Sequence, residues 1–565
     1  MVENFRLPIE TLEKSKKLEE NIVADLELSE KDGERSLYSY LFRYSNHLGK
    51  NMVEKWNKVW TDDICYLKDT KLMIKNYSET KSIDCEKWTL LKSNKNFIEK
   101  YYYIDWKYFI FLNDYSCVHQ FLSVYRLISP ICTVILPLVI MFAGWFILRL
   151  MGVNMSFSMF YQQLKILIKN KTSIGKIISG FNNSSSSSKC YAVFSLIMYI
   201  IQIYNNIMVL INFNKNLGEM HNYICDIKKY LITTVENMKH YSYLISKYDS
   251  YSIFNKELTE NSNKIEDIIN EIKNIPKTHK SMIGFYYVGY VQKIIYKFYN
   301  DKDFERVMNY SLGFNGYIDN LNGIKENIRM KCISYAQFNI KKHTHFKDAY
   351  YPPLLSNNEK DSIVKNSYKL DKELLISGPN ASGKTTVLKT TLFNIICSQQ
   401  LGVGFYKNAN IQIYSNLYCY LNIPDTSGRD SLFQAEARRC IDILNSISSK
   451  SDENSFCIFD ELYSGTNHYE AISSAFSFLN YLVENHNFHF MMTTHFIDLC
   501  KKLPKKNENV GNLKMCVKEK NDDFIYTYKM RKGISEIKGG VKVLKDLNYP
   551  DEIISNTKIF IDTEF

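Results

Sequence analysis

Residues 374–391 read LLISGPNASGKTTVLKTT, an apolar run that ends in a glycine-rich loop and continues as a helical pattern. The loop matches the P-loop pattern of two glycines separated by four residues and followed by Lys and Ser or Thr, here Gly378, Gly383, Lys384 and Thr385. In a P-loop, backbone N–H groups at a helix start bind phosphate, the lysine contacts the β and γ phosphates, and the hydroxyl holds Mg²⁺. The pattern predicts a site for a nucleoside triphosphate.

Two later apolar runs end in residues suited to ATP chemistry. FCIFDEL, residues 456–462, ends in two adjacent acids. We predict that Asp460 binds the Mg²⁺ shell and that Glu461 polarises the attacking water. FMMTTHF, residues 490–496, contains His495, which could contact the γ phosphate. Together these residues predict an ATPase that uses Mg²⁺.

The chain changes character towards its C-terminus. Short apolar runs alternate there with helical patterns, which predicts an α/β P-loop NTPase domain at residues 341–565, with a mostly parallel sheet and helices on both faces. The preceding half is predicted to be mainly α-helical. In residues 215–340, apolar residues recur at steps of three and four from Met220 to Met238 and from Ile265 to Ile275, which indicates long amphipathic helices. Residues 1–126 contain no recognisable motif.

Composition favours a reduced, intracellular compartment. The 13 cysteines are scattered without a C-x-x-C pair, which disfavours a disulfide framework and a zinc site. The chain of 565 residues is long enough for several domains. Its formal net charge of +11 suits a polyanionic partner, either nucleic acid or an acidic membrane surface, but the excess is spread along the chain and does not choose between them.

Two uncharged stretches lie in residues 127–214. Residues 127–148 contain no charge and are long enough for a bilayer span, which needs roughly 20 apolar residues. Residues 190–214 are also uncharged but carry Gln202, Asn205, Asn206 and Asn212. Each of these amides is costly in hydrocarbon unless it is paired. The connector, residues 149–189, contains Lys and Arg but no acid.

The charges leave two topologies open. A two-span hairpin would put the basic connector on the opposite side from the ATPase, although the positive-inside rule and the location of ATP assign both to the cytoplasmic side. Either residues 127–148 form a single span with everything after it cytoplasmic, or there is no span and protein buries both apolar helices. We therefore treat residues 127–148 as a candidate for membrane association.

The C-terminal motifs resemble those of the MutS family, whose ATPase domain is of the ABC class. The family's P-loop, G-P-N-x-x-G-K-[ST], is matched by Gly378, Pro379, Asn380, Gly383, Lys384 and Thr385. Its D-E-x-x-x-G-T turn is matched by Asp460, Glu461, Gly465 and Thr466, and its T-H switch by Thr494 and His495. The resemblance covers roughly residues 340–565 and implies that these P-loop residues, with Thr386, bind ATP.

SGRDSLFQAEARRCIDIL, residues 427–444, is similar to the MutS element S-G-x-S-T-F-x-x-E-M and its helix. Ser431, Phe433 and Glu436 fall on the family's Ser, Phe and Glu, with one extra residue ahead of the serine and Leu432 where Thr is usual. In the family this serine reaches the partner subunit's γ phosphate. The resemblance therefore implies that Ser431 acts in trans, and a transporter-type L-S-G-G-Q sequence is absent.

Two flanking stretches extend the resemblance. YYPPL, residues 350–354, resembles the family's R-H-P element, and IVKNS, residues 363–367, lies near its N-D pair. This implies that Asn366 is close to the nucleotide. GISEIKGGVKVLKDLNYPDEII, residues 533–554, resembles the family's helical ending and implies contacts between the subunits of a homodimer or heterodimer.

The resemblance implies an ATP-hydrolysing protein that dimerises around ATP and acts on DNA in mismatch repair or recombination. A mismatch reader of the family carries a Phe-x-Glu wedge. Phe97 and Glu99 fit that spacing without the surrounding pattern, so we expect DNA structure to be read instead of a mismatch. The competing hypothesis is a membrane-anchored MutS-like ATPase with a cytoplasmic ATPase domain that acts on a membrane or protein partner.

Overall fold

The computed structural model describes residues 4–30, 35–153, 155–171, 186–276, 282–339, 343–357, 363–421, 431–448, 453–484, 487–520, 523–537 and 540–564. The chain divides into two compact units. Unit 1 comprises Met1–Asp84, Glu236–Ser262 and Asn309–Phe565, and unit 2 comprises Cys85–Val235 and Asn263–Met308. The four segments expected from the sequence, 1–126, 127–214, 215–340 and 341–565, stay a prediction.

Helices occur in both units. The α-helices of the described residues are α1 Glu20–Asp25, α2 Leu37–Phe42, α3 His47–Trp56, α4 Ile64–Asn76, α5 Glu86–Ser93, α6 Phe97–Lys100, α7 Ser116–Leu150, α8 Phe157–Lys171, α9 Ser186–Ile245, α10 Ser252–Ile272, α11 Met282–Tyr286, α12 Val288–Asn300, α13 Lys302–Arg329, α14 Leu354–Asn357, α15 Lys384–Leu401, α16 Leu432–Ser448, α17 His468–Val483, α18 Ile497–Lys506, α19 Gly540–Asp546 and α20 Asp551–Glu564. Short 3₁₀ helices are Pro8–Thr11, Ile110–Asp114 and Asp249–Tyr251.

The strands that the structure describes all belong to unit 1. They are β1 Ser15–Lys17, β2 Val59–Thr61, β3 Ser334–Asn339, β4 Thr344–Ala349, β5 Asn366–Leu370, β6 Glu373–Ser377, β7 Val403–Gly404, β8 Asn408–Gln412, β9 Asn416–Tyr420, β10 Ser455–Asp460, β11 Phe488–Thr494, β12 Val510–Lys520 and β13 Asp523–Lys532. They form three sheets with the orders β1-β2, β5-β4-β8-β3-β7 and β13-β12-β6-β11-β10-β9.

The six-stranded sheet contains the three strands predicted around the motifs. Strands β9, β10, β11, β6 and β12 run parallel, and β13 pairs antiparallel with β12. Most residues of β6 and β10 are buried, as expected for parallel strands covered on both faces. Helices alternate with these strands along the chain, so the α/β arrangement predicted for this part is confirmed.

Helix α15, which follows the P-loop, is buried on every side. Its polar residues are therefore bonded inside the protein, as the cost of burying an unpaired amide requires. Gln399 Nε2 donates to Thr61 O at 3.0 Å, and Gln400 Nε2 donates to Trp56 O at 2.8 Å and Val59 O at 2.7 Å. These bonds join the N-terminal residues of unit 1 to the helix of the P-loop.

Helix α13 packs against the same N-terminal residues through close backbone contact. A Cβ added at Gly323 would lie 1.5 Å from Phe42 O, so only glycine fits there. One turn earlier, Asp319 accepts from Ser45 N at 2.8 Å and from the Ser45 hydroxyl. Residues 1–84 are thus an integral part of unit 1.

Unit 2 contains the amphipathic pattern predicted from Met220 onward. Met220, Ile224, Ile227 and Leu231 are all buried, which confirms the predicted stripe within α9. Ser123 Oγ on α7 donates to Gln292 Oε1 on α12 at 2.9 Å, and Tyr103 OH donates to Gln292 O at 2.8 Å. The N-terminal part of α7, which contains Ser123 and which we call its inner end, is therefore held by polar as well as apolar contacts.

The uncharged stretches lie in the C-terminal part of α7 and the N-terminal part of α9, which we call the outer parts of these helices, and they expose their apolar side chains. One alternative left open by the sequence is that these helices do not span a membrane and are buried in protein. That alternative is wrong for the described side chains, since Val139 is 51% and Ile200 57% exposed. In the part of the chain that the structure describes, the segment Val193–Ile245 has the length and composition of a membrane span, and its most apolar window is not buried.

We predict that Gln400→Leu lowers the free energy of unfolding by about 3 kcal/mol, because it leaves two buried carbonyls and the Tyr38 hydroxyl without their partner. Urea unfolding of the purified full-length protein, followed by tryptophan fluorescence, measures the loss. The matched control is Gln337→Leu, the same change at an exposed position of β3, which should alter stability by less than about 0.5 kcal/mol. Equal losses in both variants would contradict the prediction.

Candidate active site

Three loops meet at the carboxyl edge of the six-stranded sheet. Strand β11 lies between β6 and β10, with Thr494 opposite Ser377 and Thr493 opposite Asp460. Because parallel strands end at the same edge, the P-loop, the acid pair and the Thr-His pair emerge side by side. The structure therefore brings together the three motifs that the sequence predicts for phosphate chemistry.

The P-loop has the backbone geometry that its glycines allow. Gly383 has φ +91°, a left-handed conformation that side chains disfavour, and it immediately precedes α15. Ser382 Oγ donates to Pro379 O at 2.7 Å and closes the loop. A Cβ at Gly378 would lie 2.9 Å from Ser382 Oγ, so that close packing also requires glycine. The N-terminal end of α15 faces this loop and can receive an anion.

Lys384 is almost fully buried within the loop. Its Nζ donates to Gly378 O at 3.1 Å and to Pro379 O at 3.3 Å, and it lies 3.8 Å from Glu461 Oε1. Burial lowers the pKa of Lys384, while the charges of Glu461 and Asp460 oppose that shift. A cation held by neutral carbonyls and one distant carboxylate is suited to exchange these contacts for a phosphate.

Thr385 and Asp460 form the oxygen-rich part of the site. Thr385 Oγ1 donates to Asp460 Oδ2 at 2.9 Å, and Thr493 Oγ1 donates to Asp460 Oδ1. A hydroxyl and a carboxylate are the hard oxygen ligands that Mg²⁺ prefers, usually with waters and substrate phosphates completing its shell. The described residues contain no cluster of three or more His, Cys, Asp or Glu that would hold a metal by itself. This pair fits a metal that arrives with phosphate.

Glu461 and His495 face each other beside Lys384. His495 Nε2 lies 2.9 Å from Glu461 Oε1 and 2.9 Å from Lys384 Nζ. A protonated Nε2 donates to Glu461, whereas an unprotonated Nε2 accepts from Lys384, so the two bonds are alternatives. The hydrogen bond from His495 lowers the pKa of Glu461, which keeps it ionised at neutral pH. An ionised carboxylate is the form that can accept a proton from water.

A cavity of about 680 Å³ lies next to the P-loop and is lined by Lys384, Thr385, Thr386, Asn380 and Glu461. Its far wall consists of apolar and aromatic residues, among them Tyr350, Tyr351, Ile363, Tyr368 and Tyr528. The size and the mixed lining are typical of a small-molecule site. Sequence reasoning predicted the end of the cavity that contains Lys384 and Thr385 but missed this wall. YYPPL contained a signal for two of its tyrosines, whereas no motif marks Tyr528.

Asn366 also lines the cavity, but its amide is engaged. Its Nδ2 donates to Tyr528 O at 2.9 Å, and its Oδ1 accepts from Met530 N at 2.9 Å. The side chain thereby fixes β13, and with it Tyr528, against the cavity. The implied contact between Asn366 and nucleotide stays a prediction.

Ser431 does not line this cavity. Its Oγ accepts from Gln434 N at 3.3 Å, and its N–H donates to Gln434 Oε1 at 2.9 Å, which caps α16. Glu436 accepts from Ser464 N at 3.0 Å and Gly465 N at 3.2 Å, and so joins α16 to the turn after Glu461. Residues 427–430 lie outside the described residues. The role of Ser431 in trans stays a prediction.

Comparison with known proteins identifies one domain. Residues 374–563 match the family model MutS domain V. The chain is similar to the DNA mismatch repair protein MutS of Macrococcus caseolyticus, with 29% identity over 226 residues, which is 39% of this chain and 26% of that protein. It is also similar to the DNA mismatch repair protein MutS of Clostridium perfringens, with 27% identity over 235 residues, 40% of this chain and 25% of that protein. The chain thus spans about a quarter of the length of these relatives.

We predict that Glu461→Gln binds ATP normally but hydrolyses it about 10²- to 10⁴-fold more slowly, since the amide keeps the size of the side chain and cannot accept the proton of water. Nucleotide titration and a phosphate-release assay on the full-length protein measure the two properties separately.

The matched control is Glu508→Gln, at an exposed position outside the site, which should hydrolyse ATP like the parent. Lys384→Ala should instead lose ATP binding, because it removes the buried cation. Hydrolysis by Glu461→Gln at the parental rate would show that another group activates the water.

Proposed function

Because the C-terminal part of this chain belongs to the MutS family, we propose that the protein is an ATPase that dimerises around ATP and acts on DNA. The observation that carries the proposal is the convergence of Lys384, the Thr385–Asp460 pair and the Glu461–His495 pair at one sheet edge beside the cavity. A P-loop NTPase fold of the ABC class for residues 341–565 is part of the proposal.

The side chains divide the chemistry among them. Lys384 exchanges its carbonyl partners for phosphate oxygens, and backbone N–H groups at the start of α15 bind the same anion. Thr385 and Asp460 supply oxygen ligands for Mg²⁺, which neutralises phosphate charge when bound. Glu461 orients water and accepts its proton. His495 holds Glu461 ionised and can turn towards phosphate once Lys384 has left it.

The aromatic wall suits the base of the nucleotide. Tyr350, Tyr351 and Tyr528 present flat apolar surface within the cavity. Aromatic rings and an adenine base gain from offset stacking or edge-to-face contact. We propose ATP as the nucleotide, with its phosphates at Lys384 and its base against this wall.

Dimerisation is proposed on two features. Ser431 begins α16 at the surface, outside the cavity of its own subunit, which is compatible with action on a partner's ATP. The C-terminal helices α19 and α20 and the turn between them expose large apolar side chains, including Leu547, Tyr549 and Ile553. Such side chains at a protein surface commonly mark a contact with another chain. Homodimers and heterodimers both fit these features.

DNA is the proposed partner, bound through phosphate contacts and shape. The net charge of +11 favours a polyanion, and all 13 cysteines are free, as in a reduced intracellular compartment. Phe97 is fully buried and stacks on Tyr299 with 3.9 Å between ring centroids. A ring in that position is not available to insert between bases.

A second candidate function is a membrane-anchored MutS-like ATPase that acts on a membrane or protein partner. The exposed apolar side chains of α7 and α9 favour it, because such surface is costly in water. In that case the ATPase domain is cytoplasmic.

We predict that mixed dimers of Ser431→Arg and Lys384→Ala subunits regain up to half of the parental ATPase activity. Each variant damages a different half of a composite site, so one of the two sites in the mixed dimer is complete. Hydrolysis is measured on heterodimers purified through two different tags.

The matched control for the first subunit is Asn445→Arg, a change at an exposed position of the same helix that should leave activity unchanged. Mixed dimers without any recovery would indicate that each subunit hydrolyses ATP alone.

We predict that DNA binding weakens steeply with salt and differs less than about tenfold between homoduplex and a single mismatch. Phosphate contacts release counterions, and Phe97, the aromatic residue with the family's Phe-x-Glu spacing, is buried. Fluorescence anisotropy at constant salt, with junction DNA as a third probe, measures the preference. A mismatch preference above that value would show that the protein contains residues that recognise a mismatch. If the protein binds no DNA at low salt, the membrane-anchored function is favoured.

A further inference from the structure

We propose that the outer parts of α7 and α9, residues 131–150 and 186–212, form an antiparallel hairpin that crosses a lipid bilayer twice. The inference deepens the membrane-anchored alternative above and does not depend on DNA binding or ATP hydrolysis. It differs from both topologies that the sequence left open, since it requires two spans and exposes the helices to lipid.

The described apolar side chains in the outer parts of both helices are exposed or half-buried. Among the described side chains of residues 131–150 and 186–212, none is buried. The large apolar residues exposed there are Ile131, Ile135, Val139, Phe142, Phe146, Ile147, Leu150, Tyr191, Val193, Phe194, Ile197, Met198, Tyr199, Ile200, Ile201, Tyr204, Ile207, Val209 and Ile211. Apolar patches of this extent on a soluble monomer are rare and mark contact with lipid or protein.

Helix α9 changes its pattern abruptly where the proposed membrane ends. Up to residue 212 its apolar side chains face outward, whereas from Phe213 onward Leu217, Met220 and Ile224 are buried. The charged residues of this inner part are on the surface. Glu219 of α9, for example, forms an ion pair with Lys100, with 2.6 Å between Oε2 and Nζ. The inner part of this continuous helix is amphipathic, as expected for a helix at a protein surface in water. Its outer part exposes apolar side chains, as expected for an apolar environment.

The contacts of the two helices place them in opposite directions. At the inner end, Tyr102 O accepts from Arg126 Nη2 at 2.9 Å, and the Tyr102 ring lies 6.4 Å from the Phe213 ring. Further out, Asn206 Nδ2 on α9 donates to Thr133 Oγ1 on α7 at 2.7 Å. Tyr102 thus links Arg126 of α7 to Phe213 of α9, and Thr133 and Asn206 each lie seven residues further out on their helix. The two helices are therefore antiparallel.

The same contact removes an objection to the second span. Asn206 was costly in hydrocarbon unless paired, and Thr133 supplies the partner. Gln202, Asn205 and Asn212 stay exposed and share one helix face by their spacing of three and seven residues. Polar residues of membrane helices turn towards protein. In a dimer, this face would meet the partner's hairpin.

The dimensions match a bilayer. From Arg126 to Leu150, α7 rises roughly 36 Å at 1.5 Å per residue, and the hydrocarbon core is roughly 30 Å thick. At the outer end, the Arg149 guanidinium lies 5.4 Å from the Trp145 ring, a pair suited to the headgroup region. Phe157 of α8 stacks on Phe142 at 5.7 Å, so α8 contacts the outer half of α7.

The packing of unit 1 requires an even number of crossings. Lys16 Nζ donates to Ser415 O at 2.7 Å, and Gln400 Nε2 donates to Trp56 O and Val59 O at 2.8 and 2.7 Å. Residues before and after 127–148 thus belong to one folded unit on one side of a membrane. A single span would separate them, which leaves no crossing or two.

The positive-inside rule does not oppose two crossings strongly. The connector contains six basic residues, Arg149, Lys165, Lys169, Lys171, Lys176 and Lys189. The flanks within about 20 residues of the inner ends contain five, Lys107, Arg126, Lys215, Lys228 and Lys229. With nearly equal numbers, the folded ATP-binding unit decides the orientation.

A protease-protection experiment tests the topology. The full-length protein carries a tag at each terminus and a protease site after Gly152, an exposed turn beyond α7. In sealed, carbonate-washed membrane vesicles, we expect protection of either the Gly152 site alone or both tags together. Cleavage at all three positions, tags on opposite sides, or recovery of the protein in the soluble fraction would each overturn the hairpin.

Lysine substitutions test the contact with lipid. Val139→Lys combined with Ile200→Lys should lower the carbonate-resistant fraction about fivefold or more, since charges at mid-span disfavour insertion. The matched control is Ile232→Lys, an exposed apolar position on the inner part of α9, which should stay membrane-bound. ATP binding by detergent-solubilised protein should be equal in all three, which shows that they fold. Equal membrane retention of the double variant and the control would exclude the hairpin.

Discussion

Two buried glutamine side chains, Gln399 and Gln400, join the helix of the P-loop to the backbone of residues 56–61. A buried amide that loses its partners is costly, so these bonds hold residues 1–84 and the residues of the candidate site in one folded unit. The helix that follows the P-loop motif is therefore supported by the far N-terminal part of the chain. The same bonds limit how the intervening residues can cross a membrane, because the chain must return to the side from which it left.

In the candidate site, Lys384, His495 and Glu461 compete for the same few hydrogen-bond partners. Lys384 is bonded to two loop carbonyls, and His495 can bond either Lys384 or Glu461 but not both through the same nitrogen. A phosphate that binds Lys384 would break its hydrogen bond with His495, whose Nε2 could then bond Glu461 or the phosphate. In the proposed function, direct hydrogen bonds thus connect the state of Glu461 to occupancy of the P-loop. Such a connection suits an enzyme whose hydrolysis has to follow binding.

The relation to the MutS family covers residues 374–563, whereas the outer parts of α7 and α9 are surfaces of another kind. A MutS-type ATPase attached to a bilayer would meet DNA, lipid or protein at a membrane, and its basic surface would serve any anionic partner. Phe97, buried against Tyr299, offers no wedge to a mismatched base. The two proposed roles therefore differ in the partner and share the same proposed ATPase site.

The sequence alone determined the three motifs of the candidate site and the strands that precede them, because P-loop, acid pair and Thr-His pair are short patterns of residues adjacent in the chain. It also determined the amphipathic part of α9, since burial follows a local period. Only the tertiary structure decided that Tyr528 faces the cavity, that Asn366 is engaged by β13, and that Asn206 finds Thr133. These partners are 73 or more residues apart, and no local pattern encodes such a pairing. The exposure of α7 and α9 was likewise undecidable from an apolar composition, which suits a protein core as well as lipid.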